Sequence, residues 1–168
     1  MIQYGHYVGG KHFAGSSGRT AEVFQPMDGT VRATVALASA ADVRAAVANA
    51  KAAQPAWAAT NPQRRARVLL RFLELVQREF DELARLLSGE HGKTIADARG
   101  DIQRGLEVAE FACGIPHLLK GEFTEGAGPG IDLYSMRQPL GVVAGITIMW
   151  FLAPPKHCTR LPLAQPVA

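Results

Sequence analysis

The residues best suited to chemistry cluster between positions 90 and 113. Glu90-His91-Gly92-Lys93 sets three ionisable groups beside a glycine at a helix junction. A solvated, charged turn is the plainer reading of such a run. Arg99, Asp101, Arg104, Glu107 and Glu110 follow on what reads as one helix. Arg104 has two readings: a surface partner of Glu107 or Glu110, or, where Gly105 thins the helix, a planar fork that clamps a carboxylate. Cys113 lies between Phe111-Ala112 and Gly114-Ile115, which offer no base to activate a thiol, so it reads as a small apolar residue. Cys158 directly follows His157, but neighbouring residues seldom aim at a common point. Histidines at 6, 12, 91, 117 and 157 lack the close pairing of a zinc site, and no metal is expected. Glycines at 126, 128 and 130 precede a strand instead of following one, so they do not read as a phosphate loop.

The elements that must position these residues are legible in the pattern. Gly9-Gly10 is expected to turn a hairpin between Tyr4–Val8 and His12–Phe13. Pro26-Met27-Asp28-Gly29 should turn between strands Ala21–Phe24 and Val31–Leu37. Ser39 and Asp42 have capping-box spacing and open a first helix, which Pro55 is expected to end. Asn61 caps a second helix with Pro62 in its first turn, and its apolar residues run from Leu69 through Phe80 to Leu87 as one face. Arg71–Glu74 and Glu74–Arg78 are the expected ion pairs on its solvated face. Thr94 and Asp97 repeat the capping spacing and open a third helix to about Cys113. Residues 121–130 read as a flexible loop, Asp132–Gln138 as an extended strand, and Gly141–Ile146 as a short strand buried on both faces. From Ile148 the pattern stops: IMWFLAPPKHCTRLPLAQPVA holds four prolines and neither period.

Composition narrows the class. The 168 residues suffice for one domain, with 48% hydrophobic and 20% charged residues. The net charge of +3 is dispersed, which argues against a nucleic-acid partner. Two cysteines make no disulfide framework, and no apolar run reaches the roughly 18 residues of a membrane span. With no leader pattern at the start, a cytoplasmic protein without a membrane partner is expected.

The run HGKTIADARGDIQRGLEVAEFACGIPHLLKGE from His91 to Glu122, and GIDLYSMRQPLGVVAGIT from Gly130 to Thr147, resemble the N-terminal part of the CoA-acylating methylmalonate-semialdehyde dehydrogenases, within the aldehyde dehydrogenase superfamily. The resemblance implies an α/β fold: the N-terminal portion of an aldehyde dehydrogenase with an incomplete Rossmann-like NAD domain. It divides the chain into strands and helices over 1–130, an arm strand and first NAD-domain strand over 131–147, and a patternless tail over 148–168. It implies oxidation of methylmalonate or malonate semialdehyde, a small aldehyde, with NAD and transfer of the acyl group to coenzyme A. It places Arg104 where a substrate carboxylate is reached, and Ile146 and Thr147 at the rim of the nicotinamide site. A homo-oligomer joined through the arm strand is implied as well.

The family continues after Gly-Ile-Thr with a proline-phenylalanine-asparagine-phenylalanine-proline motif that helps build the oxyanion hole. Here Ile148-Met149-Trp150 stands in that place. The family's catalytic cysteine and general-base glutamate have no counterpart, and neither Cys113 nor Cys158 matches the nucleophile. No catalytic residue is assigned, and no bound cofactor is expected of this chain alone. An inactive truncated dehydrogenase or an assembly module is the reading favoured for it. A shift of coding frame would account for the tail.

Overall fold

In the computed structural model, residues 2–146 are described. The element order is β1 (Ile2–Tyr4), β2 (His6–Val8), β3 (Lys11–Phe13), β4 (Thr20–Phe24), β5 (Val31–Ala36), α1 (Ala40–Ala59), α2 (Pro62–Arg78), α3 (Phe80–His91), α4 (Ile95–Cys113), α5 (Ile115–Leu118), β6 (Phe123–Gly128) and β7 (Ile131–Tyr134). This is the mixed α/β arrangement expected. Its sheets are small and open: β1-β5-β4, with β1 parallel and β4 antiparallel to β5, and the separate hairpins β2-β3 and β6-β7.

Turn chemistry explains the β region. The β2-β3 hairpin pivots on Gly9 and Gly10, both at positive φ, as their lack of a Cβ permits. In the β4-β5 turn, Asp28 Oδ1 accepts from the Thr30 amide at 2.9 Å, and Gln25 donates to the Thr30 carbonyl at 2.7 Å. The Thr30 amide first, and then the Thr30 hydroxyl at 2.7 Å, hold the Asp28 carboxyl below the usual carboxylate range.

Three of the described helices, α1, α2 and α4, start at side-chain caps. The reciprocal Ser39–Asp42 box is formed, and Ser16 adds its own amide and hydroxyl to the Asp42 carboxylate. Asn61 accepts from the Gln63 amide at 2.8 Å with Pro62 in the first turn, and Thr94 accepts from Asp97. Pro55 does not end α1. The helix runs four residues farther and closes at Thr60, whose amide bonds to the Trp57 carbonyl and whose hydroxyl bonds to Ala56. A proline removes one ladder bond, and a terminus built just beyond it supplies replacements.

The expected long second helix is two. Glu79 leaves helical geometry between α2 and α3, although the i to i−4 bonds on either side persist. The bend lets both segments lie against α4: Leu75 and Val76 are buried from α2, Ala84 from α3, and Ala98 and Leu106 from α4. Leu75 is the one large side chain almost wholly enclosed among the described residues, at 1% exposure. Small residues elsewhere in this core permit close approach of the helices.

Two further expectations change. Residues 123–128 are not a loop: β6 pairs with β7, with a register irregularity between Thr124 and Gly128. Residues 141–146, expected as a strand buried on both faces, form no strand and are exposed. An interior parallel strand needs neighbours on both edges to receive its backbone groups, and no described element supplies them.

Candidate functional site

The junction between α3 and α4 is where the charged residues of 90–104 are sorted. Gly92 ends α3 in the left-handed conformation, at φ 77°, and a Cβ there would meet Pro26 at 3.1 Å. Arg32 of β5 crosses to this helix end, giving one nitrogen to the Gly89 carbonyl and another to Glu90, each at 2.8 Å. A cation at a helix C-terminus also complements the helix dipole. The β4-β5 hairpin is thereby docked onto α3.

The Glu90-His91-Gly92-Lys93 run therefore does not converge. Glu90 is taken by Arg32, and His91 is exposed. Lys93 turns into the junction, half-buried, and meets both Asp97 at 2.8 Å and Asp101. Asp101 is the centre of the arrangement. It is 5% exposed on the face of α4 that also carries Ala98 and Leu106, and its two oxygens are divided between two cations: Oδ2 accepts from Lys93 Nζ and Oδ1 from Arg104 Nη2. The Lys93 bond is the leading cause that holds the Asp101 carboxyl below its ordinary range. Reciprocally, the Asp101 bond, then Asp97, pushes the Lys93 ammonium above its own.

Arg104 pairs with Asp101 and with neither Glu107 nor Glu110, and its side chain remains 60% exposed. Gly100 also lies beside it, where a Cβ would stand 3.8 Å from Arg104 Nη1. Pattern reading named Lys93 and Asp101 but missed that they pair with each other and that Asp101 is the partner of Arg104. The available signal was the placement of Asp101 three residues from both Ala98 and Arg104, which puts it on the inward face beside the arginine.

The remaining candidates stand apart from this cluster. On α2, Arg71 pairs with Glu74 as expected, but Arg78 pairs with Glu79 and not Glu74. Cys113 is part-buried and its thiol donates to the Ala109 carbonyl at 3.3 Å. His6 packs against Phe13 and His12 against Tyr7. No group of ligands suited to a metal occurs among the described residues. Ile146 stands 99% exposed. Thr147, Cys158, His157 and the whole tail over 148–168 lie outside the described residues. Residues 141–146 offer neither sheet nor enclosing wall to hold a dinucleotide, so the described residues do not by themselves fit NAD.

Comparison with known proteins supplies the context for these elements. The aldehyde dehydrogenase family profile matches residues 13–149. A malonate-semialdehyde dehydrogenase of Pseudomonas aeruginosa is 45% identical over 142 residues, which are 84% of this chain and 28% of that enzyme. The human acylating methylmalonate-semialdehyde/malonate-semialdehyde dehydrogenase is 42% identical over 83% of this chain and 26% of its own length. The structure of a Sinorhizobium meliloti protein assigned as a methylmalonate-semialdehyde dehydrogenase, complexed with NAD, superposes with a TM-score of 0.80 at 64% identity, covering 84% of this chain and 29% of that one. The chain thus spans under a third of the length of each of these relatives.

The cytoplasmic expectation is corrected by the same relatives. The human, rat, mouse and Arabidopsis thaliana proteins are named as mitochondrial. Compartment is specified by targeting segments rather than by the helices and strands of a domain, so the fold does not decide it. No described helix is long and apolar enough to cross a membrane. A match over most of its residues and a shared α/β arrangement establish that this chain belongs to the aldehyde dehydrogenase family, as a relative of the N-terminal part of the methylmalonate- and malonate-semialdehyde dehydrogenases.

Proposed function

We propose that this chain by itself is a non-catalytic N-terminal scaffold from an aldehyde dehydrogenase, with Arg104 as its contribution to the substrate side. The carrying observation is that the chain spans under a third of the length of its relatives, while Leu140 and Ile146 stand 93% and 99% exposed where a complete fold would cover them. The family's reaction is oxidation of an aldehyde, and the names of the relatives support methylmalonate or malonate semialdehyde as the substrate. Such a substrate carries a carboxylate, and a partly exposed guanidinium on a rigid helix suits it.

In this reading the domains divide as 1–130, 131–147 and 148–168, and NAD is held by the whole enzyme. The acylating relatives support coenzyme A as acyl acceptor. NAD, held by the whole enzyme, would supply the hydride-accepting chemistry. Ile146 and Thr147 would lie at the rim of the nicotinamide site, and Arg104 would hold the distant carboxylate so that the aldehyde carbon is presented. The purified chain, given malonate semialdehyde, NAD and coenzyme A, is expected to form no NADH. Turnover above the protein-free control would overturn the proposal.

A second reading has its own observation. Every residue of β7 is exposed, as are Phe123 and Met136 beside it, so the β6-β7 hairpin presents a free edge and apolar side chains. This suits an assembly element joining copies of the chain or an intact homologue. Sedimentation that shows only monomer, alone and with such a homologue, would remove this reading.

A further inference from the structure

We infer that Asp101 is a positioning residue, a buried carboxylate that sets the orientation of the Arg104 guanidinium, with Lys93 as the counter-cation that keeps Asp101 in place. The inference builds on the reading of Arg104 as the anchor for a substrate carboxylate.

An exposed Asp–Arg pair three residues apart on a helix would orient little, because both side chains would be free to leave it. This pair differs at the aspartate. Asp101 is 5% exposed and its second oxygen is occupied by Lys93, itself only 16% exposed and reaching in from the α3–α4 junction. The carboxylate is therefore fixed from the far side, and Oδ1 is left as a stationary acceptor for Arg104 Nη2. Asp97 holds Lys93 from the solvent side at 2.8 Å.

The division of labour on the guanidinium follows. Nη2 is bound to Asp101, while Nε and Nη1 have no hydrogen-bond partner among the described residues. Gly100 keeps the ground beside Nη1 uncovered. Nη2 thus has one hydrogen committed to the protein, and its other hydrogen, paired with Nη1 or with Nε, is available to an incoming carboxylate. Lysine could not reproduce this, since an ammonium has no rigid plane through which one contact orients the others.

The experiment follows the Arg104 Nε–H signal by NMR in the full 168-residue chain, assigned by its loss in Arg104→Lys, and uses malonate as the probe. The wild-type signal is expected to show a restrained side chain. Asp101→Asn should release that restraint and Asp101→Glu should recover part of it. Because Asp101→Asn strands a half-buried ammonium, the double variant Lys93→Met/Asp101→Asn serves as the companion that removes both charges, and it too should release Arg104. An Arg104 signal equally restrained in whichever of these variants retains the wild-type backbone spectrum would overturn the proposal. So would failure of all of them to fold, which would make Asp101 a folding residue. Malonate should shift the wild-type Nε–H signal, and less so that of Asp101→Asn. Restraint that depends on Asp101 with no response to malonate would uphold the positioning role and overturn the carboxylate reading of Arg104.

Discussion

At the scale of single residues, the protein's most consequential group is a carboxylate that a surface pattern would assign to solvent. Asp101 lies inward with Ala98 and Leu106, and the two cations that neutralise it come from different places, one from the helix junction and one from its own helix. The pH dependence of this contact has a definite sign. The folded Asp101 carboxyl sits below its ordinary value, so its contribution is complete above about pH 4 and is lost as pH falls through the lower folded value. Folded Lys93 sits above its ordinary value, so its contribution is complete below about pH 10 and is lost as pH rises through the higher one. Arg104 and Asp97 are the other charged groups that face this pair. The urea midpoint of wild type is expected to exceed that of Asp101→Asn near neutrality, with the gap closing as pH falls below about 4. A gap that is constant with pH would refute the electrostatic origin. Gly100 offers a second test. Its Cβ would make ordinary contact at 3.8 Å, so Gly100→Ala should stabilise α4 by about 0.4–1 kcal/mol in urea unfolding.

At the scale of elements, α4 organises the helical layer. Both α2 and α3 pack on it, and the non-helical Glu79 allows their buried faces to meet it in succession. With a core of small side chains, the enclosed Leu75 carries an outsized share of the packing. Leu75→Ala is expected to cost about 2–5 kcal/mol, measured as a fall in the urea midpoint at unchanged slope. The first helix depends on a different source. No residue of α1 is buried, and its start is secured by the Ser39–Asp42 box together with Ser16. Ser39→Ala should cost about 0.5–2 kcal/mol, with the loss of amide protection concentrated in the first turn of α1. Uniform loss across all helices would mean that α1 is not a separate unit.

At the scale of the whole molecule, the exposed apolar surface is the dominant property. Val108 and Phe111 on α4, Tyr134 on β7, and Leu140, Val143 and Ile146 beyond it all face outward. Apolar area left in water drives association or dye binding. The chain is expected to self-associate as its concentration rises in sedimentation velocity. A monomer at every concentration would show that these faces need no cover.

Caps and turns were legible in the amino-acid order because they are local: the side chains of Ser39 and Asp42, of Asn61 and of Asp28 each accept from a backbone amide within three residues. The family was legible too, since the residues from His91 to Glu122 carry it. Local signals could not show that Glu79 breaks a continuous apolar stripe, because the break serves contacts with α4, or that residues 123–128 pair with β7. The strand expected at 141–146 misled for the same reason: its sequence suits the interior of a sheet, but a strand exists only where neighbours accept its hydrogen bonds. Arg104 as a candidate came from the order of residues alone. That its partner is Asp101, and that Lys93 holds the other oxygen, was settled by the packing of the α3–α4 junction, because burial and the meeting of charges from separate elements are properties of three-dimensional contact.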